Sequence, residues 1–265
     1  MKITALVENK SNSELKSAHG LSLYIETKNH KILFDLGPDH TLFENAEKRG
    51  IDLSKIDTVI ISHGHADHGG SLGKFLEVNS KAKIYIQKNA FEPHYTKLLF
   101  LKVSVGLDKT LQDNPQIVPI SGDYKIDDEL TLFTVSDTAK CHSPANDALY
   151  DHNGRDSFTH EQNLIITENQ TVLITGCGHA GVVNIMDKAK SYQPAFCIGG
   201  FHLFNPVARK TVPSALLDEI AQQLSCYRDT KFYTCHCTGL KAYEHLSKQL
   251  KNLSYLSCGD SIEIG

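Results

Sequence analysis

The stretch of sequence that decides the fold is TVIISHGHADHGG, at residues 58–70. Its apolar first half predicts a buried strand, so the polar second half lies on the loop that leaves the carboxyl end of that strand. The loop carries His63, His65, Asp67 and His68, whose imidazole nitrogens and carboxylate oxygens suit zinc, iron or manganese. So many ligands cannot share one tetrahedral ion that also holds a reactive water. We therefore expect two neighbouring ions, one on the first two histidines and one on Asp67 and His68; the alternative is a histidine-rich surface loop.

The H-x-H-x-D-H pattern of residues 63–68, followed by two glycines, resembles the signature of the metallo-β-lactamase superfamily. Upstream, KILFDLG at residues 31–37 is similar to the superfamily strand that ends in Asp-x-Gly. The resemblance extends over essentially the whole chain. It implies a mixed α/β (α+β) fold that is built as a four-layer αββα sandwich. Strand and helix patterns alternate along the chain, as layers of helix packed on sheet require.

Four further segments are similar to one subgroup of this superfamily, which is named for an archaeal dihydropterin–ribofuranosylaminobenzene phosphate synthase. They are AHGLS at residues 18–22, TGCGHAG at 175–181, IGGFHL at 198–203 and CHCTG at 235–239. The subgroup resemblance implies an alternative to hydrolysis. In that reaction a dihydropterin methyl group leaves its pyrophosphate ester and is transferred to an aminobenzene ribose phosphate, with release of pyrophosphate.

The superfamily resemblance also implies further metal ligands at strand ends in the second half of the chain. His236 matches the last histidine ligand and is assigned to the second ion. His179 is our choice for the third ligand of the first ion, with His160 as its competitor. Where the superfamily usually has an aspartate that bridges both ions, this chain has Cys177. That thiol is either a metal ligand, as soft sulfur is for zinc, or a buried neutral group.

Four other residues are predicted to assist these ligands. His202 follows a strand and the glycine pair 199–200, and such a pair suggests backbone that receives a phosphate or another anion. We therefore expect His202 to bind substrate or transfer protons, and His19 either to line the same cavity or to be structural. Asp35 and Ser62 are expected to orient the metal-binding rings, because a ligating imidazole needs a partner that fixes its tautomer.

The composition is typical of a soluble globular protein, with 40% hydrophobic and 22% charged residues among 265. A net charge of −4 without a dense Lys/Arg block disfavours nucleic acid as a partner. No apolar run is long enough to cross a bilayer. Seven cysteines without a disulfide-like spacing predict a reduced, cytoplasmic setting.

The chain is expected to form a single metallo-β-lactamase-like domain over residues 1–265. Residues 88–160 are its least regular part, with four prolines and a long polar stretch. Long irregular loops in compact domains are usually functional. We therefore expect a lid-like insertion over the metal loop that recognises the substrate; a plain disordered loop is the alternative. A homodimer is left open, since the sequence carries no interface signature.

The leading hypothesis is a hydrolase that cuts an ester or phosphoester bond of a small molecule. Two divalent ions, zinc by preference or else Mn²⁺, Fe²⁺ or Mg²⁺, would lower the pKa of a shared water toward neutrality. Asp67 or His202 would handle protons. The substrate is expected to be a small molecule, and phosphorylated if the bond is a phosphoester. The alternatives are the dihydropterin transferase and a non-catalytic protein that binds a metal or a ligand.

Overall fold

The computed structural model describes residues 1–98 and 101–265 of the chain. Two seven-stranded β-sheets form its centre, accompanied by two small sheets and six α-helices within the described residues. The strands, in chain order, are β1 Lys2–Val7, β2 Ser22–Glu26, β3 Lys31–Phe34, β4 Thr58–Ile60, β5 Lys83–Gln87, β6 Tyr95–Leu98, β7 Leu101–Ser104, β8 Ile117–Ile120, β9 Tyr124–Lys125, β10 Leu130–Phe133, β11 Leu149–Tyr150, β12 Asn163–Thr167, β13 Thr171–Ile174, β14 Phe196–Gly199, β15 Phe204–Asn205, β16 Lys210–Thr211, β17 Lys231–Thr234, β18 Leu253–Tyr255 and β19 Ser261–Glu263. The helices are α1 Thr41–Lys48, α2 Ala66–Gly69, α3 Leu72–Val78, α4 Val182–Ala189, α5 Ser214–Leu224 and α6 Leu240–Gln249.

Each large sheet has a parallel half and an antiparallel half. The first sheet has the order β19-β1-β2-β3-β4-β5-β8, and its strands from β3 to β8 are parallel. The second has the order β18-β17-β14-β13-β12-β10-β9, and its strands from β18 to β13 are parallel. Since parallel strands end at the same edge of a sheet, the loops that follow them are brought together there.

Three clusters of buried side chains separate four layers of structure. Between the sheets, Phe34 and Ile60 of the first sheet share a cluster with Leu164, Ile174 and Ile198 of the second. This cluster covers the inner face of each sheet. Both inner faces therefore have their apolar surface removed from water, which is the main favourable contribution to folding.

The helices cover the outer faces of the two sheets. Leu42 of α1 and Phe75 of α3 belong to a cluster on the first sheet. Ile185 of α4, Leu217 of α5 and Leu246 of α6 belong to a cluster on the second. Parallel strands are covered on both faces in such an arrangement, and the β14 side chains are accordingly all buried. The predicted αββα sandwich is confirmed.

Helix α1 shows the spacing of buried residues that packs a helix on a sheet. Its side chains Leu42, Asn45 and Ala46 are buried on one face, and Gly50, with φ 66°, adopts the left-handed conformation that ends many helices. None of the described helices is both long and apolar enough to span a membrane.

Residues 88–160 divide between the sheets and the surface, although residues 99 and 100 lie outside the described part of the chain. Strands β8, β9 and β10 belong to the two large sheets, whereas β6, β7 and β11 form a separate three-stranded sheet. Strand β8 was not evident from the sequence because it contains Pro119. The strand lies at the edge of its sheet, where a missing N–H is tolerated. The lid-like role expected of the whole stretch stays a prediction for the parts outside the large sheets.

Candidate metal centre

The residues of the candidate site follow five strands from the parallel halves of the two sheets. In the first sheet, the metal loop follows β4 and lies beside Asp35, which follows β3. In the second sheet, Cys177 and His179 follow β13, His202 follows β14 and His236 follows β17. The fold therefore brings together side chains that are more than a hundred residues apart in sequence.

His68 and His236 face each other across the two sheets, with their Nε2 atoms 3.2 Å apart. His68 donates its Nδ1 proton to Asp35 Oδ2 at 2.6 Å, and His236 donates its Nδ1 proton to Asn9 Oδ1 at 2.8 Å. In these tautomers both Nε2 atoms carry lone pairs, which repel each other unless a cation lies between them. Burial opposes protonation of His68, but the carboxylates of Asp35 and Asp67 outweigh it and raise its pKa to about 9. The gap therefore calls for a positive charge, either a proton or a metal ion.

Asp67 and Cys177 add an oxygen and a sulfur to the same gap. Asp67 Oδ2 lies 3.3 Å from His236 Nε2 and 3.8 Å from His68 Nε2, and Cys177 Sγ lies 3.2 Å from His68 Nε2. Burial alone would raise the pKa of Asp67, but the two imidazole rings outweigh it and hold that pKa well below its usual range. Burial raises the pKa of the Cys177 thiol, so without a cation the sulfur stays protonated at neutral pH. Two nitrogens, one carboxylate and one sulfur form a donor set that zinc accepts.

A second group, formed by His63, His65 and His179, lies beside the first. One ring nitrogen of each lies within 4.8 Å of those of the other two. His63 donates its Nδ1 proton to Ser62 Oγ at 2.8 Å and His179 donates its own to Asn146 Oδ1 at 2.9 Å. Their Nε2 lone pairs are buried and have no hydrogen-bond partner among the described residues. A buried unpaired acceptor costs about 1–3 kcal/mol, so this trio is also suited to a cation.

Burial and neighbouring rings keep this trio neutral. Burial is the larger cause, and it holds the pKa of His63, His65 and His179 well below the usual value for histidine. Metal ions bind the neutral imidazole, so the rings are already in the form that coordination requires.

Asp35 orients the metal loop from a fully buried position. Its Oδ1 accepts a hydrogen bond from the Ser62 amide at 2.7 Å, and its Oδ2 accepts from Ser62 Oγ at 2.7 Å and from His68 Nδ1. Ser62 Oγ in turn accepts the Nδ1 proton of His63. One carboxylate therefore sets the tautomers of His63 and His68, one histidine from each group. These contacts are those expected of residues that orient metal-binding rings.

Both ring nitrogens of His160 have partners outside the two groups. Its Nδ1 accepts a hydrogen bond from the Gly64 amide at 2.9 Å, and its Nε2 lies 3.1 Å from Asp156 Oδ2. The same carboxylate oxygen lies 3.0 Å from Nδ1 of His94. Both ring nitrogens of His160 are thus engaged, whereas Nε2 of His179 is free. The geometry favours His179 over His160 as a ligand of the first ion.

Glu161 is a functional candidate that sequence reasoning missed. Its side chain is buried, and its two oxygens accept hydrogen bonds from the amides of His179 at 2.7 Å and Ala180 at 2.9 Å. Burial raises the pKa of Glu161 to about 7, although the two amides act against this. The carboxylate holds the loop that carries His179. Its position directly after His160 in the sequence gave no sign of this role.

His202 and His19 both line the cavity beside the two groups. His202 is buried with neither ring nitrogen hydrogen-bonded, and its ring centroid lies 4.1 Å from that of His179. His19 is half-exposed, with Nε2 3.6 Å from Asp67 Oδ2. The fold therefore brings His202 and His19 to the candidate ligands, one on each side of them.

The glycine pair before His202 does not form an anion cradle. A Cβ at Gly199 would overlap the carbonyl oxygen of Thr175, and a Cβ at Gly200 would crowd Cys237 Sγ. The amide of Gly200 donates to Gly176 O at 2.8 Å, so it is not free for a ligand. The interpretation of these glycines as a phosphate site was wrong. They are required because neighbouring strand ends pack closely.

A cavity of about 390 Å³ opens onto both groups. The candidate ligands His65, Asp67, Cys177, His179 and His236 lie at its base. Other lining residues, which form part of its wall, are Thr96, Ser104, Val105, Ala145, Ala148, Leu149, Phe204, Asn205, Pro206 and Val207. A small molecule held by this wall would contact the base, where the candidate cation positions lie.

Comparison with known proteins agrees with this architecture. The family model described as "Metallo-beta-lactamase superfamily" matches residues 18–177 of the chain. This segment contains the metal loop and ends at Cys177. It therefore includes the candidate ligands of the first sheet and the first of those in the second.

Two curated proteins of Methanocaldococcus jannaschii are similar over nearly the full chain. The uncharacterized protein MJ0448 is 29% identical over 99% of this chain and 100% of its own length. The 7,8-dihydropterin-6-methyl-4-(β-D-ribofuranosyl)-aminobenzene-5′-phosphate synthase is 29% identical over 95% of this chain and 92% of its own. Among solved structures, Tm1679, described as a metal-dependent hydrolase of the beta-lactamase superfamily, is 27% identical with a TM-score of 0.82, and the match covers 100% of this chain and 99% of that one.

Proposed function

The chain belongs to the metallo-beta-lactamase superfamily, and from that membership we propose that it is a hydrolase with two divalent cations that cleaves an ester or phosphoester bond of a small molecule. The observation that supports the proposal most directly is the 3.2 Å separation of the His68 and His236 Nε2 atoms, which requires a proton or a metal ion between the two nitrogens. The description of Tm1679 as a metal-dependent hydrolase supports the same reaction class.

We assign the first cation to His63, His65 and His179, and the second to Asp67, His68 and His236. Cys177 is a further ligand of the second cation, since its sulfur lies 3.2 Å from His68 Nε2. Zinc is the preferred ion because it takes imidazole and thiolate ligands together; Mn²⁺, Fe²⁺ and Mg²⁺ prefer harder donor sets or other geometries.

The chain's own residues position the reaction. When bound, two such cations would lower the pKa of a shared water toward neutrality and polarise the bond that is cut. Asp67, at the base of the cavity, is placed to accept a proton. His202 has two free ring nitrogens beside His179 and is placed to deliver a proton to the leaving group. His19 lines the opposite side and orients the substrate.

The test is to purify the protein without chelator, measure bound metal, and assay generic ester and phosphodiester substrates. We expect His63→Ala and His68→Ala to lose metal and turnover together. His40→Ala is the matched control, because His40 is exposed and is not among the residues that line the cavity. Turnover retained by both ligand variants would contradict the mechanism.

A dihydropterin transferase that releases pyrophosphate is the second candidate. It is favoured by the 29% identity to the M. jannaschii synthase over 95% of this chain. Pyrophosphate released when the two synthase substrates are mixed, and absent when either is incubated with water alone, would support transfer over hydrolysis. A non-catalytic protein would instead bind metal and ligand without turnover of any substrate.

The proposal also concerns the setting of the protein. Its partner is a small molecule rather than nucleic acid, and a homodimer and a cytoplasmic location stay predictions. All seven cysteines, which lie in the described part of the chain, are free thiols, as a reducing compartment would leave them.

A further inference from the structure

Among the described residues, the wall of the cavity beside the candidate cations has no lysine or arginine, and we propose that it binds an uncharged, apolar group of the substrate. The inference rests on the proposed function and narrows it. The bond that is cut is then the ester bond of an uncharged acyl group rather than a phosphoester bond.

The wall above the candidate ligands is mainly apolar. It is formed by Val105, Ala145, Ala148, Leu149, Phe204 and Val207. The polar groups between them, such as Thr96, Ser104 and Asn205, are uncharged. Among the described residues that line the cavity there is no lysine or arginine, which are the side chains that usually hold phosphate.

Backbone amides do not replace the missing cationic side chains. Near His202, the amides of Gly200, Phe201 and Leu203 donate to Gly176 O, Thr238 Oγ1 and Cys237 O. Near His179, two successive amides donate to the carboxylate of Glu161. These amides therefore donate to acceptors within the protein and are not available to a ligand.

The lysine on the second strand of the neighbouring hairpin is also directed elsewhere. Lys102 lies on β7, next to the wall residue Ser104, and its Nζ is 5.6 Å and 5.7 Å from the ring centroids of Tyr95 and Tyr150. This ammonium group contacts aromatic faces outside the cavity wall. Lys102 is therefore not available to a phosphate in the cavity.

Each methylene group that an apolar wall removes from water makes binding more favourable. The gain is about 0.8 kcal/mol per buried CH₂, which corresponds to about a fourfold increase in affinity. A ligand anchored to the cations by one end and extended along Leu149 and Val207 should therefore bind more tightly as its chain lengthens. A phosphorylated sugar should gain nothing from the same wall.

The experiment measures binding of n-alkyl hydroxamates, from acetyl to hexanoyl, to the Zn²⁺-loaded protein by calorimetry. We expect the dissociation constant to fall by about fourfold per methylene until the cavity is filled. Ribose 5-phosphate, at millimolar concentration, should not displace hexanoyl hydroxamate. Val207→Asp and Leu149→Asp should each remove most of the dependence on chain length.

Val78→Asp is the matched control, because Val78 is 40% exposed and Val207 is 41% exposed, but only Val207 lines the cavity. The control should keep the full dependence on chain length. Affinity that does not change with chain length, or ribose 5-phosphate that binds as tightly as hexanoyl hydroxamate, would overturn the proposal. Affinity that rises with chain length while neither acyl esters nor phosphoesters are hydrolysed would support the apolar site and instead count against the hydrolase function.

Discussion

His68 and His236 are held with their Nε2 atoms 3.2 Å apart, although one ring follows a strand of the first sheet and the other follows a strand of the second. Each ring is fixed from behind, by Asp35 and by Asn9. The two sheets are therefore joined at their edge by a contact that requires a proton or a metal ion between the two nitrogens. A bound ion converts this contact into a stabilising one, and metal binding should be linked to the stability of the fold.

Replacing Asn9 by alanine should weaken binding of the second cation. Asn9 Oδ1 accepts the Nδ1 proton of His236, and such partners usually contribute 10- to 100-fold in metal affinity, so we expect about that loss. Competition with a chromophoric chelator measures it. Asn12→Ala, which removes an exposed asparagine that contacts Ser257, is the control. Equal affinities for all three proteins would show that Asn9 does not orient His236.

Replacing Asp156 by asparagine should loosen the metal loop. The carboxylate holds His94 and His160, and His160 accepts a hydrogen bond from the Gly64 amide inside the loop. We expect the affinity for the first cation to fall tenfold or more, because residues that support the ligands contribute about that much to metal affinity. Asp128→Asn, at a fully exposed position, is the control. Unchanged affinity in the Asp156 variant would assign this buried cluster to stability alone.

Titration of Asp156 should contribute to the pH dependence of the free energy of unfolding. Burial alone would raise its pKa, but hydrogen bonds from His160 and His94 outweigh it and hold the pKa below its usual range. A carboxylate with a depressed pKa stabilises the folded state above its unfolded pKa of about 3.9, and this stability is lost as the pH falls through the folded pKa. The free energy of unfolding of chelator-treated parent should therefore approach that of the Asp156→Asn variant as the pH falls from about 4 toward about 2. A difference that stays constant over this range would contradict the assignment.

Replacing Gly199 by alanine should destabilise the fold through a steric clash. The new Cβ would overlap the carbonyl oxygen of Thr175, and overpacking of this kind costs about 1–3 kcal/mol. Gly154 is the matched control, because its φ of 145° is close to the 143° of Gly199 and a Cβ there meets nothing within 4 Å. Denaturant unfolding of both alanine variants isolates the clash from the backbone strain. Equal losses of stability would show that conformation, not packing, requires Gly199.

The sequence could predict the local ligands because they depend on short-range pattern, whereas the αββα sandwich was predicted from the family resemblance. An apolar strand followed by H-x-H-x-D-H places His63, His65, Asp67 and His68 on one loop whatever the rest of the chain does. His236 could be found because it also follows a strand that ends at this edge.

The supporting residues could not be predicted because they come from distant loops. Asn9 and His236 are 227 positions apart, and Gly64 and His160 are 96 positions apart. Asn146 holds His179 from a segment with no regular pattern in the sequence. The glycine pair 199–200 was misread because a sequence does not distinguish a glycine that receives a ligand from one that another strand end approaches.

The number of metal ions bound per chain tests the central claim most directly. Inductively coupled plasma mass spectrometry of protein purified without chelator should find two ions per parent chain. We expect about one ion in His179→Ala and about one in His236→Ala, since each variant removes a ligand from a different group. A parent protein that binds no metal, or that binds one ion which both variants abolish, would contradict the account.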